Sequence, residues 1–302
     1  MKRMCQFGHH KISSMIVLVG LLLTCCANPY KLGTQFDQCG DHPDPDTAIK
    51  ICTDAIDSNE FPKPYLKSLY FRRALQWAKK GDETRAIADY SEALRLDPRN
   101  YKILNNRGSA YRRLHQLDLA ISDYDEAIGL RPKYSMALWN RGAAWDEKGD
   151  ADRAITDLTA SIELDPNEPR AFFNRGNAWT HKKEYDKAIT DYDAAIRLNP
   201  KYENAYVNRG NAWDAKGDYD KAIADYDVAL RLDPTDVETF MSRGNTWVRK
   251  GDLDKGLNDY NQAILLNPKF APAYYVRSAL WEKKGDTKQA EADKEMALQL
   301  SK

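Results

Sequence analysis

Arginine recurs every 34 residues from Arg73 to Arg277, through Arg107, Arg141, Arg175, Arg209 and Arg243, and proline does the same from Pro98 to Pro268. A period of this length marks a chain built from stacked supersecondary units, none of which can bury its apolar face alone. The unit is most complete between Glu203 and Asp236, with Tyr206, Arg209, Gly210, Trp213, Gly217-Asp218, Ala222-Ile223, Asp225-Tyr226, Ala229-Leu230 and Pro234. Shifts of 34 reproduce it in seven copies, at 67–100, 101–134, 135–168, 169–202, 203–236, 237–270 and 271–302.

Within each copy two stretches of helical period flank a turn. In the first copy Ala86, Ile87, Tyr90, Ala93 and Leu94 fall at i, i+1, i+4, i+7 and i+8, one stripe of a helix. The turn is Gly81-Asp82, Gly149-Asp150, Gly217-Asp218, Gly251-Asp252 or Gly285-Asp286. Glycine closes one helix in a left-handed conformation and aspartate caps the next. His115-Gln116 and Lys183-Glu184 replace the pair in two copies, so those turns should be less well capped. Every copy also has Arg at its position 7 and Asp at its position 23, as in Arg209 and Asp225. Antiparallel helices bring these positions together, which predicts an internal ladder of Arg-carboxylate pairs that fixes helix register. Trp77, Trp145, Trp179, Trp213, Trp247 and Trp281 share the phase of the apolar faces, so their rings are expected in the core rather than around a ligand.

These residues resemble the tetratricopeptide repeat, a 34-residue helix-turn-helix unit. The likeness rests on the aromatics Tyr70, Phe172, Tyr206, Phe240 and Tyr274 at position 4, the glycines Gly108, Gly142, Gly176, Gly210 and Gly244 at position 8, the aromatic at position 11 and alanine at position 20. The resemblance implies an all-α fold, a right-handed superhelical solenoid of seven repeats after an N-terminal partial one. It also implies a concave groove, lined by the first helices, that holds a protein or peptide partner. At groove position 5 this chain has Phe71, Asn105, Trp139, Phe173, Val207, Met241 and Tyr275; at position 9 it has Asn177, Asn211 and Asn245. Asparagine offers donors and acceptors to an extended peptide backbone. The alternative for position 5 is that these side chains pack along the groove. The family's clamp for a terminal carboxylate needs lysine at position 5, which no copy has. Groove charges are mixed, with Lys102, Arg112 and Arg113 in the second copy and Asp146 and Glu147 in the third, which would suit a partner with an acidic and then a basic segment.

Lys plus Arg and Asp plus Glu number 45 each. The balance gives no footprint for nucleic acid or an anionic membrane surface. Residues 1–27 read as a secretory signal: Lys2, Arg3 and Lys11 precede an apolar run to Leu23, and Ala27 offers the cleavage site. The run is shorter than the ~20 residues of a membrane-spanning helix. Cleavage after Ala27 predicts a periplasmic or secreted protein; Leu22 to Cys25 and Leu23 to Cys26 resemble lipoprotein boxes, so a lipid anchor at Cys25 or Cys26 is an alternative, and an uncleaved anchor a third. Cleavage leaves Cys39 and Cys52, an even pair in an oxidising compartment and so a predicted disulfide. Residues 28–66 read as an arm and a capping helix. No helical period runs through 28–45, but Ala48, Ile49, Cys52, Ala55 and Ile56 repeat the second-helix stripe, so Asp46 to Asp57 is expected to be the second helix of an incomplete repeat. Glu291 and Lys294 give the last helix the polar outer face expected at the end of a stack.

No P-loop, H-E-x-x-H or G-x-S-x-G is present, and His42, His115 and His181 lack partners at metal-ligand or triad spacing. The expectation is a non-catalytic adaptor of a bacterial envelope, without metal or cofactor, serving cell-wall enzymes if lipid-anchored. A reading of another class is a carbohydrate-handling protein that uses the tryptophans.

Overall fold

The computed structural model describes residues 36–301; the expected signal, with Cys25 and Cys26, lies outside the described residues. Among these the chain forms a short helical stretch at 36–41, fifteen longer helices and no strand, and no helix is long and apolar enough to cross a membrane. A single helix, α1 (Pro45–Asp57), precedes seven pairs: α2 (Lys63–Lys79) and α3 (Glu83–Leu96), α4 (Tyr101–Arg113) and α5 (Leu117–Leu130), α6 (Ser135–Glu147) and α7 (Ala151–Leu164), α8 (Pro169–His181) and α9 (Tyr185–Leu198), α10 (Glu203–Ala215) and α11 (Tyr219–Leu232), α12 (Val237–Lys250) and α13 (Leu253–Leu266), α14 (Ala271–Lys284) and α15 (Thr287–Leu300). Each helix packs on its neighbours in sequence, which makes the stack single file. First helices of successive repeats also touch directly, α4 with α6, α6 with α8, α8 with α10 and α10 with α12, and no second helix approaches the next in that way among the described residues. First helices therefore line the inner side of the curve.

Close packing follows from small residues placed in register. Ala110, Ala144, Ala178 and Ala212 on first helices and Ala86, Ala120, Ala154, Ala188 and Ala222 on second helices are wholly buried. At position 8 a Cβ on Gly108, Gly176, Gly210 or Gly244 would stand 2.6–2.8 Å from the ring of the tyrosine sixteen residues on. Glycine there lets Tyr124, Tyr192, Tyr226 and Tyr260 lie flat against the first helix, and burial pushes the Tyr124, Tyr192 and Tyr260 hydroxyls up to about 12.

The Arg-Asp ladder is present in all seven repeats. Nε and Nη2 of each arginine donate to the two oxygens of its aspartate at 2.6–2.9 Å, from Arg73 and Asp89 to Arg277 and Asp293. The remaining Nη1 was not legible from the pair alone. It crosses to the preceding repeat and donates to Thr53, Ser91, Asp125, Thr159, Asp193, Asp227 or Asn261 at 2.5–3.1 Å. One side chain thus fixes both the register within a repeat and the offset between repeats. Its planar fork suits that double duty, which an ammonium could not perform.

Turns divide as expected. Gly81, Gly149, Gly217, Gly251 and Gly285 have positive φ, and the aspartate after each accepts a backbone N–H of the following helix. His115 and Lys183 are forced to φ 55° and 61°, and Gln116 and Glu184 make no side-chain cap. The N-terminus departs from expectation in two ways. Helix α2 begins at Lys63, four residues before the 34-residue frame, with Pro64 in its first turn. Residues 36–41, expected to be irregular, form a short helical stretch that stands where a first helix would. Six residues are too few for a period to show. The stretch is held by the Cys39–Cys52 bond, both cysteines being wholly buried, and by Arg72 and Gln76, which donate to the carbonyls of Phe36, Asp37 and Gly40.

Candidate functional site

The inner face was expected to carry an open apolar stripe at position 5. Instead the position-24 tyrosine meets it, admitted by a small residue at position 8, glycine in four repeats and Ala74 in the first. Phe71 packs on Tyr90 with ring centroids 6.0 Å apart, and Phe173 packs on Tyr192 and Tyr202 at 5.9 and 4.9 Å. Met241 joins the buried cluster with Tyr260, Ala263 and Ala273, and Trp139 sits under the Arg170 guanidinium, 4.5 Å from its ring centroid. Asn105 is buried too, its Oδ1 accepting from Asn140 Nδ2 at 2.9 Å. Val207 is half-buried, and only Tyr275, 66 % exposed, is open to solvent. Position 5 is thus mainly the floor's packing layer.

Position 9 carries the polar feature. The Tyr192, Tyr226 and Tyr260 hydroxyls donate to Oδ1 of Asn177, Asn211 and Asn245 at 2.9, 2.7 and 2.7 Å. Asn177 Oδ1 also accepts from Asn208 Nδ2 at 2.8 Å, and in the second repeat Tyr124 donates to Ser109 at 3.2 Å. Each amide is oriented by a buried tyrosine through its oxygen, which turns its Nδ2 donors away from the core. Asn211 is exposed, and Asn177 and Asn245 partly so. The result is three oriented amide donors, one per repeat, along the inner face. The tyrosine beneath each asparagine follows from the 34-residue frame, but the bond between positions 24 and 9 needs the ring's tilt.

Groove charges expected to meet a partner are paired across repeats. Arg112 meets Glu147 at 3.1 Å, Asp146 meets His181 Nδ1 at 2.8 Å, and Asp214 meets Arg249 at 2.6 Å, each joining position 12 of one repeat to position 13 of the next. Arg113 turns to Glu83, while Lys102 remains exposed. Burial pushes the Asp146 carboxyl up, against the pull of His181. These pairs stiffen the inner wall and leave little net charge for an acidic-then-basic partner.

The position-11 tryptophans are half-buried rather than enclosed. In five repeats one indole face lies under a cation: Arg85 over Trp77, Arg153 over Trp145, Lys187 over Trp179, Lys221 over Trp213 and Lys255 over Trp247, at 3.6–4.5 Å from the ring. Such capped faces are poorly suited to stacking on sugars. On the same edge Lys148, Lys182, Lys216, Lys250 and Lys284 each pair with an aspartate of the preceding repeat. A cavity of about 530 Å³ opens there between Trp247, Lys250, Asp254 and Lys284, but its lysines are already matched by carboxylates.

Two family models match the chain. The model described as Tetratricopeptide repeat matches residues 105–169, 146–203 and 184–237, and the one described as TPR repeat matches 78–115. No curated protein sequence matches. Among solved structures, MamA is 27 % identical over 55 % of this chain and 96 % of its own, with a TM-score of 0.51. A tetratricopeptide repeat protein from Parabacteroides merdae, 19 % identical, covers 87 % of this chain and 98 % of its own with a TM-score of 0.65. YrrB, described as a TPR protein with an unusual peptide-binding site, is 19 % identical over 62 % of this chain and 97 % of its own, with a TM-score of 0.52. With its 34-residue words, paired helices and inner face of first helices, the chain belongs to the tetratricopeptide repeat proteins, a family of protein-interaction scaffolds.

Proposed function

We propose that this protein is an exported, non-catalytic adaptor that holds an extended segment of a partner protein along its inner face. The observation that carries the reading is the line of Asn177, Asn211 and Asn245, each oriented by a tyrosine hydroxyl so that Nδ2 is free for a carbonyl. Donors repeated at one per structural unit, with little local net charge, suit a peptide backbone better than a particular side chain. Partner choice then falls to exposed residues of the first helices, among them Lys102, Met136, Glu238 and Tyr275. Export is supported by residues 1–27 and by the buried Cys39–Cys52 bond, which persists in an oxidising compartment. A lipid anchor at Cys25 or Cys26 would place the same adaptor at a membrane surface, within reach of cell-wall enzymes.

Affinity capture from an envelope extract tests the reading. Replacing Asn177, Asn211 and Asn245 with Asp, which keeps the oxygen that accepts from each tyrosine and removes the Nδ2 donors, should remove the specific partners while leaving the melting temperature within a few degrees. An unchanged partner set would refute it.

A further inference from the structure

The loops that join one repeat to the next lie on the edge opposite the Gly-Asp turns, and they follow a period of two repeats rather than one. Loops 97–100, 165–168 and 233–236 begin with Asp-Pro and end on Asn100, Glu168 or Asp236, whose side chains cap the next helix. Loops 131–134, 199–202 and 267–270 instead carry Lys133, Lys201 and Lys269, each followed by an aromatic ring, and the helices after them have no side-chain cap. All three lysines are exposed. Charge therefore alternates along the middle of this edge: Arg131 and Lys133, then Glu163, Asp165 and Glu168, then Arg197 and Lys201, then Asp233 and Asp236 beside Arg231. Part of it is matched locally, as Glu168 is by Arg170 at 2.7 Å. Stacking accounts for the rings, since Tyr134 packs on Tyr101 and Phe270 joins the core of the sixth repeat, but gives no reason for the alternation of exposed charge. The inner face takes the Tyr202 ring, against Phe173, and leaves the three exposed lysines unused.

We propose that this edge is a self-complementary surface on which two copies of the chain pair antiparallel about a twofold axis. With six loops, an axis midway between the third and fourth sets the first against the sixth, the second against the fifth and the third against the fourth. Every such pair joins one Asp-Pro loop to one lysine-aromatic loop. Matching is strongest at the centre, where Lys201 of each copy faces Asp165 of the other. Leu164 and Leu232, 41 % and 38 % exposed, flank these loops and supply apolar area that a second copy would cover. Isologous pairing of this kind closes on itself and is the commonest form of assembly.

Sedimentation of the purified protein tests the proposal. In low salt it should approach twice the mass of the single chain as concentration rises. The dissociation constant should increase at least about tenfold when salt is raised to ~1 M, where the screening length falls to ~3 Å. Lys201→Glu and Asp165→Lys, each made alone, should give single chains, because each sets like charges together at both central contacts. Position 165 tolerates a cation, since Arg131 occupies the equivalent place in its own loop. Mixing the two variants should restore a dimer containing one of each, since both contacts are then opposite in sign. Unchanged melting curves establish that both variants fold. A wild type that stays a single chain at high concentration and low salt overturns the proposal, and so does a dimer indifferent to either substitution.

Discussion

Each repeat depends on one arginine that makes contacts in two directions. Arg209 binds both oxygens of Asp225 and reaches Asp193 on the repeat before, and the Asp225 carboxyl, pushed up by burial, has no other cation close by. Replacing Arg209 with Met leaves a buried carboxylate unpaired and should cost ~3–5 kcal/mol, read as a lowered urea midpoint. The double variant Arg209→Met with Asp225→Leu should recover most of that loss; a single variant as stable as wild type would mean the clasp contributes nothing. Tyrosine gives a second residue-scale prediction. The unfolded hydroxyl titrates near 10, whereas burial pushes those of Tyr124, Tyr192 and Tyr260 up to about 12. The stability this represents is whole below pH ~10 and is lost as pH climbs towards ~12, at about 1.4 kcal/mol per ring for each pH unit. Alkaline titration should therefore show these rings ionising together with the loss of helical circular dichroism, not before it.

At the scale of the element, the turns separate sequences that fit the backbone from those that strain it. His115 and Lys183 occupy left-handed conformations without glycine, and Gln116 and Glu184 leave their helices uncapped. Changing each pair to Gly-Asp, as in five other repeats, should stabilise by ~1–2 kcal/mol per turn from the relieved backbone and the added cap. Thermal melting checks this, and no gain in either variant would contradict it. Much of this layer was legible in the sequence, because a 34-residue period superimposes copies and makes every exception visible: the two odd turns, the Arg-Asp register and Cys52 at a tyrosine's place. What escaped was set by geometry between copies. The third arm of the arginine goes to position 25 of the preceding repeat, and Arg112 finds Glu147 35 residues away. The fate of position 5 depended on how the position-24 ring lies against it, which neither position reveals alone, so Met241 and Asn105 looked like groove residues and proved buried.

The whole molecule is a single-file stack in which apolar side chains, arginines and most inner-face charges serve the contacts between neighbouring helices. What remains on the inner wall is a row of oriented asparagine amides, and the account turns on whether a partner's backbone runs along it. A photo-cross-linking residue placed at Asn211, on the inner face, and in parallel at Thr190, on the exposed side of a second helix, tests this in cells that make the protein. A discrete cross-linked partner is expected from position 211 and none from position 190. Equal yields from both positions, or a partner captured only from position 190, would contradict it.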